Sequence, residues 1–472
     1  MALTLTDITS NNNDLTNSGA VESSSVPFNG ENNSHSLDLE SGSNQYASIA
    51  DASQTGLDIT GDMTLECWVK FETVTECFFI NKWGQNPNKS YVFNFTSAPA
   101  LSFTITSNGS TNTTKAVTWS PTAGIWYHVA VSYDASAGEC RFYVNGIQQG
   151  ATQTGLATSI YDNAHPFTIG VNYNGGTLNN LLDGLIDDAR VWNDLRTAQE
   201  IADNFAKELV GNEANLVGNW KFNNSALDET SNNNDLTLSG SPSYSTDVGF
   251  SGTNATSADL ELSDPDYLYI TDANQTGLDI TGDLSFECWL KIEQLPSTAG
   301  TKFGIFNKWS ASAGNFSYLV QVPNTSDKVQ VFYSGDGTNF TSAETSSAYL
   351  VSADVGKWIH FTVTIDVSEK SILVYKNGVS VSMAAASGTQ TSIYNGTANF
   401  QIGSLNSADY FDGLIDDVRV WNDIRTPTEV GNNFTRPLVG NEAGLVAYWN
   451  WETTTTTSIK DLIGGGIIAF PR

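Results

Sequence analysis

Cysteine is scarce in this chain: Cys67, Cys77, Cys140 and Cys288 are all there is in 472 residues, with no CxxC pair and no framework spacing. A disulfide scaffold and a thiolate zinc site are therefore not expected. Overlaying the two halves of the chain sets Cys67 opposite Cys288, Cys77 near Phe303 and Cys140 opposite Ile372, the pattern of small core hydrophobes. Basic residues are also few, 21 against 51 acidic ones, for a net charge of −30. A phosphate backbone would be repelled, so nucleic acid is not an expected partner. The acidity reads as solubility or as cation binding at loop carboxylates. No apolar run reaches membrane-spanning length, and no membrane insertion is expected. The first residues lack a basic start and an apolar core, so synthesis in the cytoplasm without a signal peptide is expected. A role outside a cell would then need another exit, such as lysis within a virion. The four histidines stand in no Ser-His-Asp or glycine-framed nucleophile context, which argues against hydrolase chemistry.

Ser, Thr, Asn and Gly are abundant instead, and aromatics reach 11%. That is the make-up of short strands joined by polar loops. Internal repetition organises them. GLIDDARVWNDLRT at 184–197 returns as GLIDDVRVWNDIRT at 413–426, and DITSNNND at 7–14 returns as DETSNNND at 228–235. Trp289 follows Trp68 by 221 residues (289 − 68), and Trp421 follows Trp192 by 229 (421 − 192), so the second copy carries a few inserted residues. A unit this long is a whole domain, which excludes a solenoid with its period of about 20–50 residues.

Within each copy apolar and polar residues alternate. Leu65, Cys67, Val69 and Phe71 share one strand face while Glu66, Trp68 and Lys70 share the other, and Phe286, Cys288 and Leu290 repeat the inward set. Tyr127, Val129, Val131 and Tyr133 likewise oppose His128 and Ser132. This predicts antiparallel sheets packed face to face. Asn145-Gly146 and Asn377-Gly378 predict tight hairpins. The 184–197 and 413–426 stretches end in capping boxes, Thr197 with Glu200 and Thr426 with Glu429, with Pro427 at a first helical position. A short helix should follow each, apolar at Ile201 and Phe205 and at Val430 and Phe434. The segments ending near Trp220 and Trp449 are expected to close each sandwich beside its first strands, with almost no linker between the copies.

The motifs also carry a resemblance. GDMTLECWVK at 61–70 and GDLSFECWLK at 282–291 are followed, twice in the same order, by a Trp-x-His strand (Trp126, His128; Trp358, His360), a Tyr-x-Asn-Gly turn and a Phe-x-Ile-Gly turn at 167–170 and 400–403. With the strand-to-helix stretch, this set resembles the laminin G-like domains of the concanavalin A-like superfamily. The resemblance implies an all-β chain of two tandem antiparallel β-sandwich (jelly-roll) domains, each with one short helix near its end. The expected boundaries are 1–227 and 228–458, with 459–472 as a C-terminal strand or docking tail whose apolar end would invite pairing. The fold implies no single function, because it carries lectins, adhesins, protein-binding modules and glucanases.

Glucanases of this superfamily need two carboxylates flanking the scissile bond. Glu66 and Glu72 are six residues apart on one strand and Glu287 and Glu293 repeat them, but the E-x-D-x-x-E motif is absent, so Glu66 reads as a structural carboxylate beside Trp68. SGDGTNF at 334–340 is one residue short of a sialidase Asp-box and reads as a β-turn. Hard cations want several oxygens from flexible loops. Resemblance to the family's Asn-rich loop makes Asp7, Asn11, Asn13 and Asp14, with Asp228, Asn232, Asn234 and Asp235, candidate ligands for a structural calcium (Ca2+), completed by Asp187 or Asp188 and by Asp416 or Asp417. The alternative is an Asx-turn in which these side chains satisfy their own backbone. Sugar binding needs exposed aromatic rings with amides and carboxylates nearby. Trp83 and Trp309, which end matching strands in Asn-Lys-Trp, are candidates, as are Trp68 and Trp289 on polar strand faces and Tyr173 and Tyr410 in loops.

These features point to a non-enzymatic recognition or adhesion protein that binds glycans or a surface receptor, as a virion component (fibre, tail or decoration) or in another surface assembly. The alternative is a structural decoration protein without a sugar ligand, packing against other structural proteins or copies of itself. An accessory glycoside hydrolase is disfavoured by the missing carboxylate pair.

Overall fold

The computed structural model describes residues 10–451, except 12, 14, 19, 24–26, 31, 175, 253, 264–265, 311–313, 407 and 439. The expected tail at 459–472 lies outside the described residues.

Alternation builds two all-β sandwiches. Leu65, Cys67, Val69 and Phe71 of strand Met63–Phe71 meet Phe79, Phe93 and Phe103 of the facing sheet in one core. Phe286, Cys288 and Leu290 meet Phe306, Tyr318 and Val331 in the other. The four cysteines are buried and free, as core residues. In the first sandwich a seven-stranded antiparallel sheet runs in the order 237–239, 46–49, 167–169, 77–83, 89–96, 100–106, 112–118. It packs on an eight-stranded sheet of order 147–154, 139–144, 126–134, 63–71, 184–192, 36–39, 243–245, with 216–220 also paired to 184–192. The second sandwich repeats both sheets strand for strand.

The local signals hold. Asn145 and Gly146 have φ of 48° and 76°, and Asn377 and Gly378 of 49° and 75°, the left-handed pair that an Asn-Gly hairpin turn requires. Helices Ala198–Asn204 and Pro427–Asn433 start at complete capping boxes on Thr197 and Thr426. Gly184 opens its strand at φ 143°, and a Cβ there would lie 2.2 Å from the Lys70 carbonyl oxygen, so no other residue fits.

Two sequence-based expectations are corrected. The closing strands Leu216–Trp220 and Leu445–Trp449 pair with Gly184–Trp192 and Gly413–Trp421, not with the first strands. Nor do the sandwiches divide at 227/228. Strands Thr237–Ser239 and Ser243–Ser245 pair with Tyr46–Ile49 and Ser36–Leu39 of the first sandwich. Strands Thr16–Ser18 and Val21–Ser23 pair instead with Tyr267–Ile270 and Ser257–Leu260 of the second. From residues 16–23 on sandwich 2 the chain crosses to sandwich 1 and then crosses back. Backbone pairing carries no address in the sequence for the edge a hairpin joins.

The two crossings meet at the centre, where Gly30 and Gly252 exchange backbone hydrogen bonds of 2.8 and 3.0 Å. Around them the outer faces of the eight-stranded sheets share an apolar layer of Trp68, Trp126 and Leu185 against Trp289, Trp358 and Leu414, filled by Phe28, Phe205, Phe250 and Phe434. Each such buried side chain contributes about 1.5–3 kcal/mol. Asn145 Nδ2 donates to the Asn377 carbonyl at 2.8 Å and Asn377 Nδ2 to the Asn145 carbonyl at 2.7 Å. Reciprocal contacts of this kind define a pseudo-two-fold seam within one chain.

Candidate functional site

The Asp-Asp pair in the repeated strand is set by a bulge. The register shifts between Asp187 and Arg190, Asp188 takes φ 42°, and both carboxylates end up buried. Asp187 Oδ2 accepts from Asn33 Nδ2 at 3.0 Å and from the Gly249 N–H at 3.0 Å. Burial first, then the Asp188 charge, push Asp187 up to about 8. Asp188 pairs with Arg190 Nη2, which also donates to the Lys207 carbonyl, while Nη1 donates to the Asn204 carbonyl. Glu66 completes this cluster: its carboxylate accepts from Trp192 Nε1 at 2.8 Å and lies 3.1 Å from His128 Nε2 and 3.5 Å from Arg190. Glu66 is thus a buried structural carboxylate.

The Asn-rich loops act as plugs. Asn234 Nδ2 donates to the Thr55 and Val217 carbonyls at 2.9 and 2.8 Å, its Oδ1 accepts the Thr55 N–H at 2.7 Å, and its carbonyl accepts Trp220 Nε1 at 2.8 Å. Asn13 makes the same set on sandwich 2, with Thr276 at 2.9 and 2.6 Å, Val446 at 3.2 Å and Trp449 at 2.8 Å. Asn232 and Asn11 donate to Val217 and Val446 at 3.0 and 2.7 Å. Asp228 spends both oxygens on protein donors, the N–H groups of Asn219, Thr230 and Asn234 and the Thr230 hydroxyl. Asp235 Oδ1 accepts the Asp228 N–H at 3.0 Å. Asp187 and Asp416 lie in the seam, bonded to Asn33 and Asn254. Asp7 and Asp14 lie outside the described residues. The described set is an Asx-turn knot and does not fit a calcium cage, since its amides donate where a cation would need oxygens.

The aromatic candidates separate. Trp68 and Trp289 are fully buried in the seam, their indole N–H groups donating to the Phe205 and Phe434 carbonyls, so neither offers a platform. They stand on the polar strand face as expected, but a second sandwich covers that face. Trp83 is also buried, packed with Phe78 and Val92, with Lys89 Nζ 5.4 Å from its ring. The Lys of each Asn-Lys-Trp is structural: Lys82 is buried between Asp51 and Asp58, both at 2.6 Å, and Lys308 between Asp272 and Asp279. Tyr173 stacks on Tyr46 at 6.3 Å and Tyr410 lies 6.0 Å from Tyr267, both half-buried.

Trp309 differs from its counterpart. It stacks on Phe316 at 4.3 Å and 5°, and lies 6.2 and 6.1 Å from Phe332 and Phe340, the last 45% exposed. The sequence signal missed here was the three phenylalanines, which become neighbours only through sheet register. A groove of about 240 Å³ adjoins this patch, lined by Gln330, Phe332, Ser342, Glu344, Ala384, Ala385 and Ser387. Gln321, Gln330, Glu344 and Lys328 form a hydrogen-bonded polar row along it, with links of 2.9, 3.1 and 2.7 Å. A second concavity of about 350 Å³ lies at the seam beside Trp119 and Tyr127, but its amides Asn145 and Asn377 are spent on each other. Two carboxylate trios, Asp38 with Glu40 and Glu72 and Asp259 with Glu261 and Glu293, each gather one oxygen per residue within 4.8 Å. Partial burial, then mutual repulsion, raises the pKa of Glu72, Glu261 and Glu293.

A family model of the concanavalin A-like lectin/glucanases superfamily, of laminin G type, matches residues 41–202 and 262–431. The chain belongs to this family. No curated protein matches the chain. Among solved structures, a Bacteroides ovatus protein described as carbohydrate-binding is 18% identical, over 45% of this chain and 59% of its own, at a TM-score of 0.36. Mouse laminin α1 domains LG4-5 are 13% identical over 91% of this chain and 96% of theirs, at 0.26. A Ruminococcus gnavus sialidase CBM40 bound to α2,3 sialyllactose is 14% identical over 39% and 97%, at 0.30. Family membership rests on the two matched segments, not on these scores.

Among the described residues no helix is long and apolar enough to cross a membrane.

Proposed function

We propose that this is a non-enzymatic glycan-recognition protein whose sugar site is the outer face of the second sandwich. The observation that carries the reading is the half-exposed cluster of Trp309, Phe316, Phe332 and Phe340 beside a groove edged by Gln330, Ser342 and Glu344. Rings offer a flat apolar face to sugar C–H groups, and the amide and carboxylate row offers partners for hydroxyls. The counterpart in the first sandwich, Trp83, is buried and offers no such face. Glu66 and Glu287, the carboxylates beside the repeated Trp, are buried and ion-paired, which supports binding without turnover. A place in a virion or another surface assembly belongs to the same proposal and is tested by looking for the chain in purified particles.

Screening on a glycan array provides the test. Binding should fall about tenfold or more, roughly 1.4 kcal/mol, in Phe340→Ala and in Trp309→Ala, and should be unchanged in Trp83→Ala. Binding that survives both changes, or no binding to any glycan, would overturn the proposal, and polysaccharide turnover by the purified protein would overturn its non-enzymatic part.

A further inference from the structure

The two sandwiches obtain the same part from different places. Sandwich 1 takes its edge hairpin, 237–245, from the chain that directly follows its closing strand. Sandwich 2 takes 16–23 from the far side of the sequence, and Asn13 reaches Val446 across 433 residues. The registers are equivalent: Thr16 faces Tyr269 and Ser18 faces Tyr267, as Thr237 faces Ser48 and Ser239 faces Tyr46. Leu15 and Ala20 are buried in the core of sandwich 2, and Leu236 in that of sandwich 1. With the Asn13 and Asn234 knots, the strand registers, buried side chains and hydrogen bonds described above for each hairpin all lie between the hairpin and its receiving edges. The hairpin also sits at sheet margins, Thr16–Ser18 ending the seven-stranded sheet and Val21–Ser23 the eight-stranded one.

We infer that sandwich 2 is a receptor for the 10–23 segment that a second copy of this chain can fill, so that two copies join by exchanging hairpins. Main-chain pairing supplies affinity at an otherwise open edge, and Asn13 with the buried Leu15 supplies specificity. Exchange of an identical element loses no contact, which makes it a low-cost route to a dimer. Within one chain the hairpin competes at high effective concentration, because the seam holds the sandwich it is tethered to beside its receptor. The trans reaction therefore shows itself when the internal hairpin is removed.

The experiment compares the full chain with a variant lacking residues 1–26. The variant should unfold at a lower temperature, and a synthetic peptide of residues 7–26 should restore the midpoint saturably. The same peptide carrying Asn13→Ala should bind about tenfold more weakly or worse. The full chain refolded at high protein concentration, where each copy gives up one hairpin and receives one, should give a fraction of exchanged dimer by sedimentation. A folded variant that ignores the peptide, or a full chain that gives no dimer, overturns the inference. If the variant does not fold, a protease site placed between Ser23 and Phe28 of the full chain is cut after folding, and labelled peptide is added in excess. Replacement of the cut hairpin by the labelled peptide supports the inference, whereas a hairpin that never exchanges, or leaves without replacement, overturns it.

Discussion

Glu66 and Glu287 occupy equivalent positions, yet their surroundings differ by fractions of an ångström with opposite results. Burial alone would raise Glu66, but Arg190 and the hydrogen bonds from His128 and Trp192 outweigh it and hold the group down to about 2. At Glu287, Arg419 stands 3.7 Å away and His360 3.5 Å away, so burial prevails and its pKa is raised. A lowered carboxylate contributes stability that is complete above its ordinary value near 4.5 and is lost as pH falls towards about 2. Glu66→Gln should therefore destabilise the protein at pH 7 by about 3 kcal/mol, and Glu287→Gln by much less. Urea unfolding of both variants checks this, and equal losses would contradict the asymmetry. In the sequence Glu66 read as structural, because Glu287 and Glu293 merely repeat Glu66 and Glu72 and the E-x-D-x-x-E motif is absent. The sequence could not show the asymmetry, because identical residues in both copies read identically.

At the scale of strands and loops, the carboxylate trios at the ends of Ser36–Leu39 and Met63–Phe71, and of their counterparts in sandwich 2, gather like charges. Glu72 and Glu293 are raised by burial first and then by neighbouring acids. For a raised group the sign reverses: its favourable contribution is complete below the ordinary carboxylate range and is lost as pH rises through the folded value. Glu72→Gln with Glu293→Gln should raise the thermal midpoint at pH 7, and the gain should vanish near pH 3. A scanning-calorimetry series over pH would show it, and a gain independent of pH would point to another cause. Hairpin turns, helix caps and strand faces were legible in the sequence because each is written in residues a few places apart, such as Asn145-Gly146 or Thr197 with Glu200. The Asn-rich loop was legible as a loop with two open readings. Its choice of the Asx-turn knot over a calcium cage became visible only with Thr55, Val217 and Trp220 around Asn234.

The whole molecule behaves as a dimer written in one chain. Asp187 lies in its seam, pushed up to about 8, and is held as a neutral acid below that. Its favourable contribution is complete below its ordinary value near 3.8 and is lost as pH rises through about 8, when a buried charge forms on the strand position paired with Trp68. The thermal midpoint of the parent should accordingly fall between pH 7 and pH 9, and that of Asp187→Asn should fall less. Trp68→Ala should cost about 3–5 kcal/mol and split a single unfolding transition into two, one per sandwich. A single transition in that variant would mean that the crossed hairpins alone couple the halves.

Sequence by itself determined that there are two copies of one antiparallel sandwich, where their turns and helix starts fall, and which strand residues face inward, because all of these follow from repetition and short-range spacing. Tertiary structure alone decided what covers the other strand face and which edge each hairpin joins. Alternation placed Trp68 and Trp289 opposite the core but could not tell solvent from a second sandwich. Strand pairing is a bond between backbones with no preferred distance along the chain, so only the assembled sheets showed that residues 16–23 pair, and with what.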